Sequence, residues 1–598
     1  MQNRDAVGYV VEVDSGKVLL NLLDHHRGQL ASHGQGISPV AEIGSMLAIN
    51  AGYRLLIMKI IGLNFAEPKE VHKLNDKSKS LDREPLRHIQ GVTVGWIEQN
   101  NGERRFLSDT LVSPPLGAEA FPVSDEEMKI ILGGNEYEGP VNLGNEYQTS
   151  SKIQVGLNSL LAQHVAVVGS SGQGKSSFTA SILQQLADMP KARIVVFDIN
   201  GEYDRAFKLS EEAIQAGNTG NRLNDKEYKH TAIGESVDGS ESLKIPYYAL
   251  GRQGLHRLCL PSEKTQRPAL TFAINNLKYV NWDEVQEGAS LYDDETVLFS
   301  DCRQEGANDA YGAIKKLREG DVEPVQEWPH MSTLAALVAE SHALVPGRYG
   351  IERNAFYYSN VSPLITRIHR LIDDEMFNSV VDVNGGPAKS DGGELNWQTE
   401  ADCLVNEIFG DFNSDWKVHV VNLRQIPQDL MPMVLGSLLE LYASVLFRRG
   451  QSKSPATLLV LEEAHHYLRP IGEESETEKN ALAYERLAKE GRKFGLSLWL
   501  STQRPKEVSP TVLSQCGTWF SFRLTSDQDL KAVSTASEWA DTREVKRIAG
   551  LSRQHALAIG NCISIPTFFK AANANPTPKS EDAPFDDWVS HHEETEES

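Results

Sequence analysis

The sequence predicts an α/β protein: a small β-barrel first, then strands alternating with helices, with a largely helical subdomain inserted among them. Three observations predict it. Residues 1–150 hold short β-branched or alternating runs separated by Gly, Asn and Pro, the pattern of a small barrel. From about residue 151 apolar strands alternate with helical stretches, the signature of an α/β sheet. Two of those strands are separated by about 200 residues, far too many for a structureless loop, so an inserted subdomain is expected.

In chain order, the barrel strands are expected at Ala6–Val13, Lys17–Leu20, Ser45–Asn50, Leu55–Ile61, Gly91–Ile97 and Glu103–Leu107, with a polar loop from Asn75 to Arg87. The core strands are expected at His164–Val168, Arg193–Phe197, Lys417–Asn422, Thr457–Leu461, Leu496–Ser501 and Thr518–Arg523. The core thus takes residues 151–204 and 405–570, and the insertion takes 205–404. Inside the insertion, Leu364, Ile365, Ile368 and Leu371 share one helical face. Residues 571–598 form a tail with eight acidic residues and one lysine, whose composition favours a solvated, partly disordered end.

Bulk composition narrows the functional classes. A chain of 598 residues exceeds one hydrophobic core, and 40% hydrophobic with 24% charged residues is ordinary for a soluble globular protein. The net charge of −23 argues against a surface coated in cations for indiscriminate nucleic-acid binding, though a ring can confine basic groups to its channel. No run of 18 apolar residues suggests a membrane span, and the N-terminus reads as a strand rather than a leader. Five scattered cysteines with no CxxC pair suggest reduced thiols in a cytoplasmic protein and no zinc site.

The chemistry is concentrated after residue 160. Gly169-Ser-Ser-Gly172-Gln173-Gly174-Lys175-Ser176 fits GxxxxGK[ST], with an apolar strand before it and a helix after it. Glycines in such a loop let successive backbone N–H groups, here from Gly169 through Ser177, curl toward phosphate at a positive helix end. Lys175 would meet the β- and γ-phosphates of ATP, and the Ser176 hydroxyl would ligate Mg²⁺. Far downstream, Thr457-Leu-Leu-Val-Leu461-Glu462-Glu463 is a buried strand ending in two acids. Glu462 is placed to hold Mg²⁺ through water and Glu463 to orient or deprotonate the attacking water. Glu462 stands where aspartate is commoner. A third strand ends at Gln503, either a contact to the γ-phosphate or a locally satisfied amide. Asp198 ends the second strand, either near the metal or as a turn-former. His465 reads as a structural neighbour of the acids rather than a metal ligand.

These residues resemble the HerA ATPases of the HerA/FtsK superfamily. The likeness runs through His164 and the P-loop, Asp198-x-x-Gly201-Glu202-Tyr203, Glu462-Glu463-Ala464-His465, Glu490-Gly491-Arg492-Lys493-Phe494-Gly495 and Gln503-Arg504-Pro505, and extends from the barrel to about Phe569. It implies a RecA-like core and a C-terminal segment bracing the next subunit. It further implies a homohexamer with ATP at subunit boundaries and double-stranded DNA in the channel. By the same resemblance Arg492 becomes an arginine finger for a neighbouring site, with Arg486 and Arg504 as rivals, and Arg469 a basic residue near the γ-phosphate. Many relatives carry arginine where this chain has Gln163, which puts its turnover, or its independence of partners, in question. Arg205, Lys208, Arg222 and Lys506 are candidates for gripping DNA phosphates, or plain surface charges.

The function expected is therefore an ATP-driven duplex-DNA translocase or helicase. It would work with a separate nuclease or other effector, in DNA end processing or antiphage defence. The alternative is a nucleotide-switched scaffold ring that controls an effector without processive movement. A packaging or conjugation motor is a third class, which usually carries membrane or relaxase-docking segments not seen in this sequence.

Overall fold

The computed structural model describes residues 5–14, 16–23, 30–33, 36–39, 42–65, 87–100, 103–108, 112–133, 139–208, 223–280, 325–348, 350–390, 392–469, 483–537 and 542–579. Most of the expected loop after Asn75, together with Arg222, Cys302 and the tail beyond Lys579, lies outside these residues.

Six antiparallel strands close the N-terminal barrel: Gly8–Asp14, Lys17–Leu22, Met46–Ala51, Arg54–Phe65, Arg87–Asn100 and Glu119–Pro122. Closure comes from Lys17–Leu22 pairing with both Gly8–Asp14 and Arg87–Asn100, and it leaves no free edge among these six. Alternation supplies the interior: Val10, Val18, Leu20, Leu47, Ile49, Leu56, Met58, Ile89 and Trp96 form its core. Glu119–Pro122, which sequence reasoning left out, is the staple between Gly8–Asp14 and Met46–Ala51. The barrel is tied to the rest of the chain through Lys59. This buried cation pairs with the Glu544 carboxylate and donates to the Pro566 carbonyl at 2.7 Å.

The second body is built on a twelve-stranded sheet. Its parallel strands are β1 (His164–Val168), β2 (Ile194–Asp198), β3 (Val418–Asn422), β4 (Thr457–Leu461), β5 (Leu496–Thr502) and β6 (Cys516–Phe522). Their spatial order is β6-β1-β5-β4-β2-β3. Every residue of β1 to β4 and β6 is buried, as expected for parallel strands covered on both faces. Beyond β6 the sheet turns antiparallel, through β7 (His555–Gly560), β8 (Thr567–Ala571) and the hairpin Pro140–Glu146 with Lys152–Gly156. Pro140–Glu146, which the sequence reading grouped with the barrel, therefore belongs to this sheet.

Helices cover both faces. α1 (Lys175–Ala187) follows β1, and its Phe178 ring lies against Trp499, Phe520, Phe522 and Phe569. On the other face the insertion packs helices Gly251–Cys259, Gln266–Asn276, Ser332–Ala343, Ala355–Asp373 and Trp397–Phe409 into one continuous core with the sheet. Leu364, Ile365, Ile368 and Leu371 are the buried face of Ala355–Asp373, as their spacing requires. The insertion is not only helical. Tyr228–Ile233 and Glu241–Leu243 extend the parallel sheet beyond β3, a contribution hidden by their short, mixed patterns.

Among the described residues one helix, α2 (Met431–Arg449), is long and apolar enough by composition to cross a membrane. Two thirds of its apolar window is buried against protein, among Val434, Leu438, Leu441 and Val445. Cys259, Cys403, Cys516 and Cys562 are free thiols.

Phe178 joins α1 to β5, β6 and β8 at once, so Phe178→Ala should cost about 3–5 kcal/mol through the cavity it leaves. Denaturant unfolding of the purified variant checks this. A loss below about 1 kcal/mol would mean the helix is held by other contacts.

Candidate nucleotide site

β1 runs straight into the glycine loop, and the loop's shape is set by its close neighbours. A side chain on Gly169 would place its Cβ 2.5 Å from the Phe522 Cβ, so only glycine lets the loop leave the sheet there. Gly174 caps α1 with φ of 102°, in the left-handed region that disfavours any side chain. The loop is pinned by backbone bonds from both neighbouring strands' ends: the Gly169 N–H donates to the Thr502 carbonyl (3.3 Å) and the Ser170 N–H to the Arg523 carbonyl (2.8 Å). The Gln554 N–H donates to the Gln173 carbonyl at 2.9 Å, closing the third side. Lys175 is buried and donates to the Ser170 carbonyl at 3.1 Å. Burial lowers its pKa, opposed by the charges of Glu463, Glu462 and Glu202.

β5 lies between β1 and β4, so the glycine loop, Gln503 and the two acids reach the same sheet edge side by side. Val168 is level with Thr502, and Leu461 with Leu500. Glu462 is 5% exposed and accepts a hydrogen bond from the Tyr203 hydroxyl. Burial pushes its carboxyl up to about 7, against the pull of its bond from Tyr203. Glu463 sits in the left-handed region, φ 44° and ψ 47°, an unusual conformation for a non-glycine residue and one that clusters at functional sites. Its Oε2 lies 3.2 Å from His465 Nδ1 and accepts from the Gln503 N–H at 3.4 Å. Burial opposes its ionisation, but the His465 bond, the Lys175 charge and the Gln503 amide outweigh it and hold its pKa below the usual value. His465 Nδ1 also lies 3.1 Å from Thr502 Oγ1, so it fixes the acid against β5.

Asp198 is a turn-former. Its buried carboxylate accepts from the N–H groups of Gly201 (2.8 Å), Glu202 (3.1 Å) and Tyr203 (2.9 Å). Burial nevertheless raises its pKa to about 6. The turn it organises delivers Tyr203 to Glu462. The role of Tyr203 is absent from the sequence reading, and the one signal for it is an aromatic hydroxyl at the end of the Asp198-x-x-Gly-Glu-Tyr motif. The hydroxyl of Ser176 and the carboxylate of Glu462 are hard oxygen donors of the kind a Mg²⁺ ion takes, so the residues present fit that ion. Among the described residues no group of three or more His, Cys, Asp and Glu side chains could hold a metal by itself.

The chain is similar to several known proteins. Residues 141–319 match the family described as helicase HerA, central domain. A probable helicase of Methanocaldococcus jannaschii is 23% identical over 521 residues, covering 82% of this chain and 84% of the relative. The DNA double-strand break repair helicase HerA of Pyrococcus furiosus is 23% identical over 471 residues, covering 76% of this chain and 73% of the relative. The chain is thus similar to the HerA helicases in its central region and, at 23% identity, over 76% of its length. Among solved structures, VirB4 of Thermoanaerobacter pseudethanolicus aligns with 75% of this chain and 98% of its own, at 15% identity and a TM-score of 0.43.

Not every candidate residue gathers at that edge. Arg492 lies in the turn Gly491–Phe494, before β5 begins, and borders a cavity of about 580 Å³ lined by Leu157, Ile194, Leu458 and Leu496 at the start of the strands. β5 spans six residue steps from Leu496 to Thr502, which puts Arg492 roughly 20 Å from the Gln503 end of the same strand. Gln163 is exposed at this far edge too, immediately before β1. Arg486 lies over the Phe447 ring at 4.0 Å and pairs with Glu490, while Arg504 pairs with Glu507 just after Gln503. Arg469 donates through Nε to the His465 carbonyl at 3.1 Å, behind Glu463. Of the basic candidates for DNA, Arg205 is exposed, Lys208 pairs with Asp225 at 2.6 Å, and Lys506 donates to Gln528 at 2.9 Å.

The Asp198 turn leads to a test. Asp198→Ala leaves three buried N–H groups without their carboxylate and should destabilise the protein by about 2 kcal/mol or more, with Asp198→Asn intermediate. Chemical denaturation would decide it, and equal stability of the alanine variant would remove the turn from the account of how Tyr203 is placed.

Proposed function

We propose that this chain is one subunit of a homohexameric motor that uses ATP and Mg²⁺ to move along double-stranded DNA. The observation that carries the reading is the split site. The glycine loop, Glu462, Glu463 and Gln503 meet at one edge of the sheet, while Arg492 stands at the other, too far away to serve its own loop. Subunits arranged edge to edge in a ring bring the Arg492 of one to the phosphates of the next. The Pyrococcus furiosus relative, a DNA double-strand break repair helicase, supports duplex DNA as the track.

The geometry supports the following residue roles. Lys175 and the backbone from Gly169 to Ser177 hold the phosphates, and Ser176 and Glu462 hold the cation. Glu463, kept ionised by His465 and Lys175, accepts the proton of the water that attacks the γ-phosphate. Gln503, whose N–H already bonds Glu463, reports the γ-phosphate to β5. The neighbour's Arg492 neutralises the charge developing on the transferred group, an effect worth roughly 10³–10⁵ in rate. In this reading any cutting of DNA falls to a separate effector, in end processing or in defence against phage. The net charge of −23 favours a second reading, in which the ring restrains an effector and nucleotide acts as a switch.

Turnover measurements separate the two. Duplex DNA should raise ATP hydrolysis several-fold, less so as salt is raised, and Lys175→Ala should abolish basal and stimulated rates alike. Turnover indifferent to DNA but altered by a co-purifying protein would favour the regulatory ring. Co-assembled Arg492→Ala and Glu463→Gln subunits should interact non-additively, whereas additive losses would show that Arg492 acts within its own subunit or not at all.

The cation site carries its own pH dependence. Because the Glu462 carboxyl is pushed up to about 7, a proton competes with Mg²⁺ below that pH. Mg²⁺-dependent ATP affinity should weaken by about tenfold per pH unit below about 7 and level off above it. Tyr203→Phe removes a donor to the carboxylate and should move the midpoint upward, and Glu462→Gln should leave weak, pH-independent affinity. Binding titrations between about pH 6 and pH 8 check this, and a flat wild-type profile would take Glu462 out of the cation site.

A further inference from the structure

His164 lies at the start of β1, at the edge opposite the glycine loop, and it is 3% exposed. Both ring nitrogens are engaged. Nδ1 accepts from the Leu498 N–H of β5 at 3.0 Å. Since Nδ1 faces a donor, the ring proton sits on Nε2, which donates to the Ala488 carbonyl at 2.7 Å. Ala488 belongs to the last turn of α3 (Ala483–Glu490), where carbonyls run out of helical donors. The turn that carries Arg492 starts directly after that helix, at Gly491.

The rest of that turn is bolted to the same strands. The Gly495 N–H donates to the Arg492 carbonyl at 3.1 Å, and the Thr457 N–H, at the start of β4, donates to the Gly495 carbonyl at 2.8 Å. A Cβ on Gly491 would come within 3.1 Å of Leu496 Cδ2, so the turn is packed closely on the start of β5. The three strands that carry the glycine loop, the two acids and Gln503 at one end thus hold the Arg492 turn at the other. His164 is the side chain that joins two of them to the helix.

We infer that His164 is a positioning residue for Arg492: its neutral imidazole fixes the end of α3 to β1 and β5, and so sets where Arg492 stands for the neighbouring subunit. This rests on the reading of Arg492 as a finger acting across the subunit boundary. It also gives that finger a mechanical link to its own nucleotide. β1 leads from His164 to Gly169, and β5 leads from Leu498 to Thr502, whose carbonyl holds the Gly169 N–H. A shift of β5 against β1 at the phosphate edge therefore reaches the imidazole that spans both strands.

The test uses full-length assemblies and two amides that each keep half of the imidazole's bonding. In His164→Gln the amide reaches as far as Nε2 and can still donate to Ala488. In His164→Asn it reaches only as far as Nδ1, and the bond to α3 is lost. Steady-state hydrolysis should show kcat reduced about tenfold or more by His164→Asn, with KM for ATP within about twofold, and His164→Gln within about threefold of wild type. Added to Arg492→Ala, His164→Asn should cause no further loss, because the finger it positions is already gone. The inference is overturned if His164→Asn leaves kcat unchanged, or if its loss is as large without Arg492 as with it; the finger reading would survive either result. Should Arg492→Ala itself leave kcat untouched, the finger reading falls and this inference with it. If His164→Asn does not assemble, His164→Gln decides: turnover near wild type supports the role, and a loss matching Arg492→Ala refutes it.

Discussion

The arrangement depends on one strand. β5 is inserted between the strand that enters the glycine loop and the strand that ends in two acids, and it bonds to both. Without it the loop and the acids would be adjacent, with no side chain between them. With it, Thr502 and Gln503 occupy the centre of the site: the Thr502 carbonyl takes the Gly169 N–H, the Thr502 hydroxyl takes His465, and the Gln503 N–H takes Glu463. The strand is long enough that its other end emerges beside Arg492. A single parallel strand therefore connects the edge that gathers the glycine loop and the acids to the opposite edge that carries Arg492.

Much of this was legible in the sequence because the strands are fully buried. An apolar run of five residues ending in glycines or acids has few alternative readings, and β1 and β4 fall where their patterns put them. The other core strands differ from expectation by one or two residues at their ends, which is the ordinary uncertainty of where pairing stops. What escaped was pairing that depends on distant partners. Tyr228–Ile233 has a half-buried pattern and becomes a core strand only because β3 offers an open edge. Pro140–Glu146 joins the core because β8, more than 400 residues later, lies beside it. Neither partner is visible in a local window.

The site divides the same way. The residue types of the phosphate loop and the acid pair follow from chemistry and were named from spacing alone. The groups that aim them were not. Tyr203 contributes a hydroxyl to Glu462 only because Asp198 spends its carboxylate on three backbone amides to turn the chain there, so its role lies in a fold-back that no periodicity encodes. Asp198 had two open readings, and its geometry selects the turn. His164 was visible as a residue preceding the loop strand, but its purpose resides in two bonds to segments more than 300 residues away.

Glu462 and Glu463 are neighbours in sequence, yet their environments separate them. Glu462 continues the strand, is buried and receives a neutral donor from Tyr203, so burial dominates and its carboxyl stays near 7. Glu463 breaks from the strand through a left-handed backbone, comes within the field of Lys175 and accepts from His465 and the Gln503 amide, so charge and hydrogen bonding dominate and it ionises readily. Two carboxylates with divergent pKa values suit two different tasks. The one kept near neutrality gains most from a cation, because ion binding and ionisation reinforce each other. The one kept ionised is ready to receive a proton from water. The backbone strain at Glu463 thus has a chemical consequence: it is the bend that takes the second acid out of its neighbour's burial and into the field of Lys175.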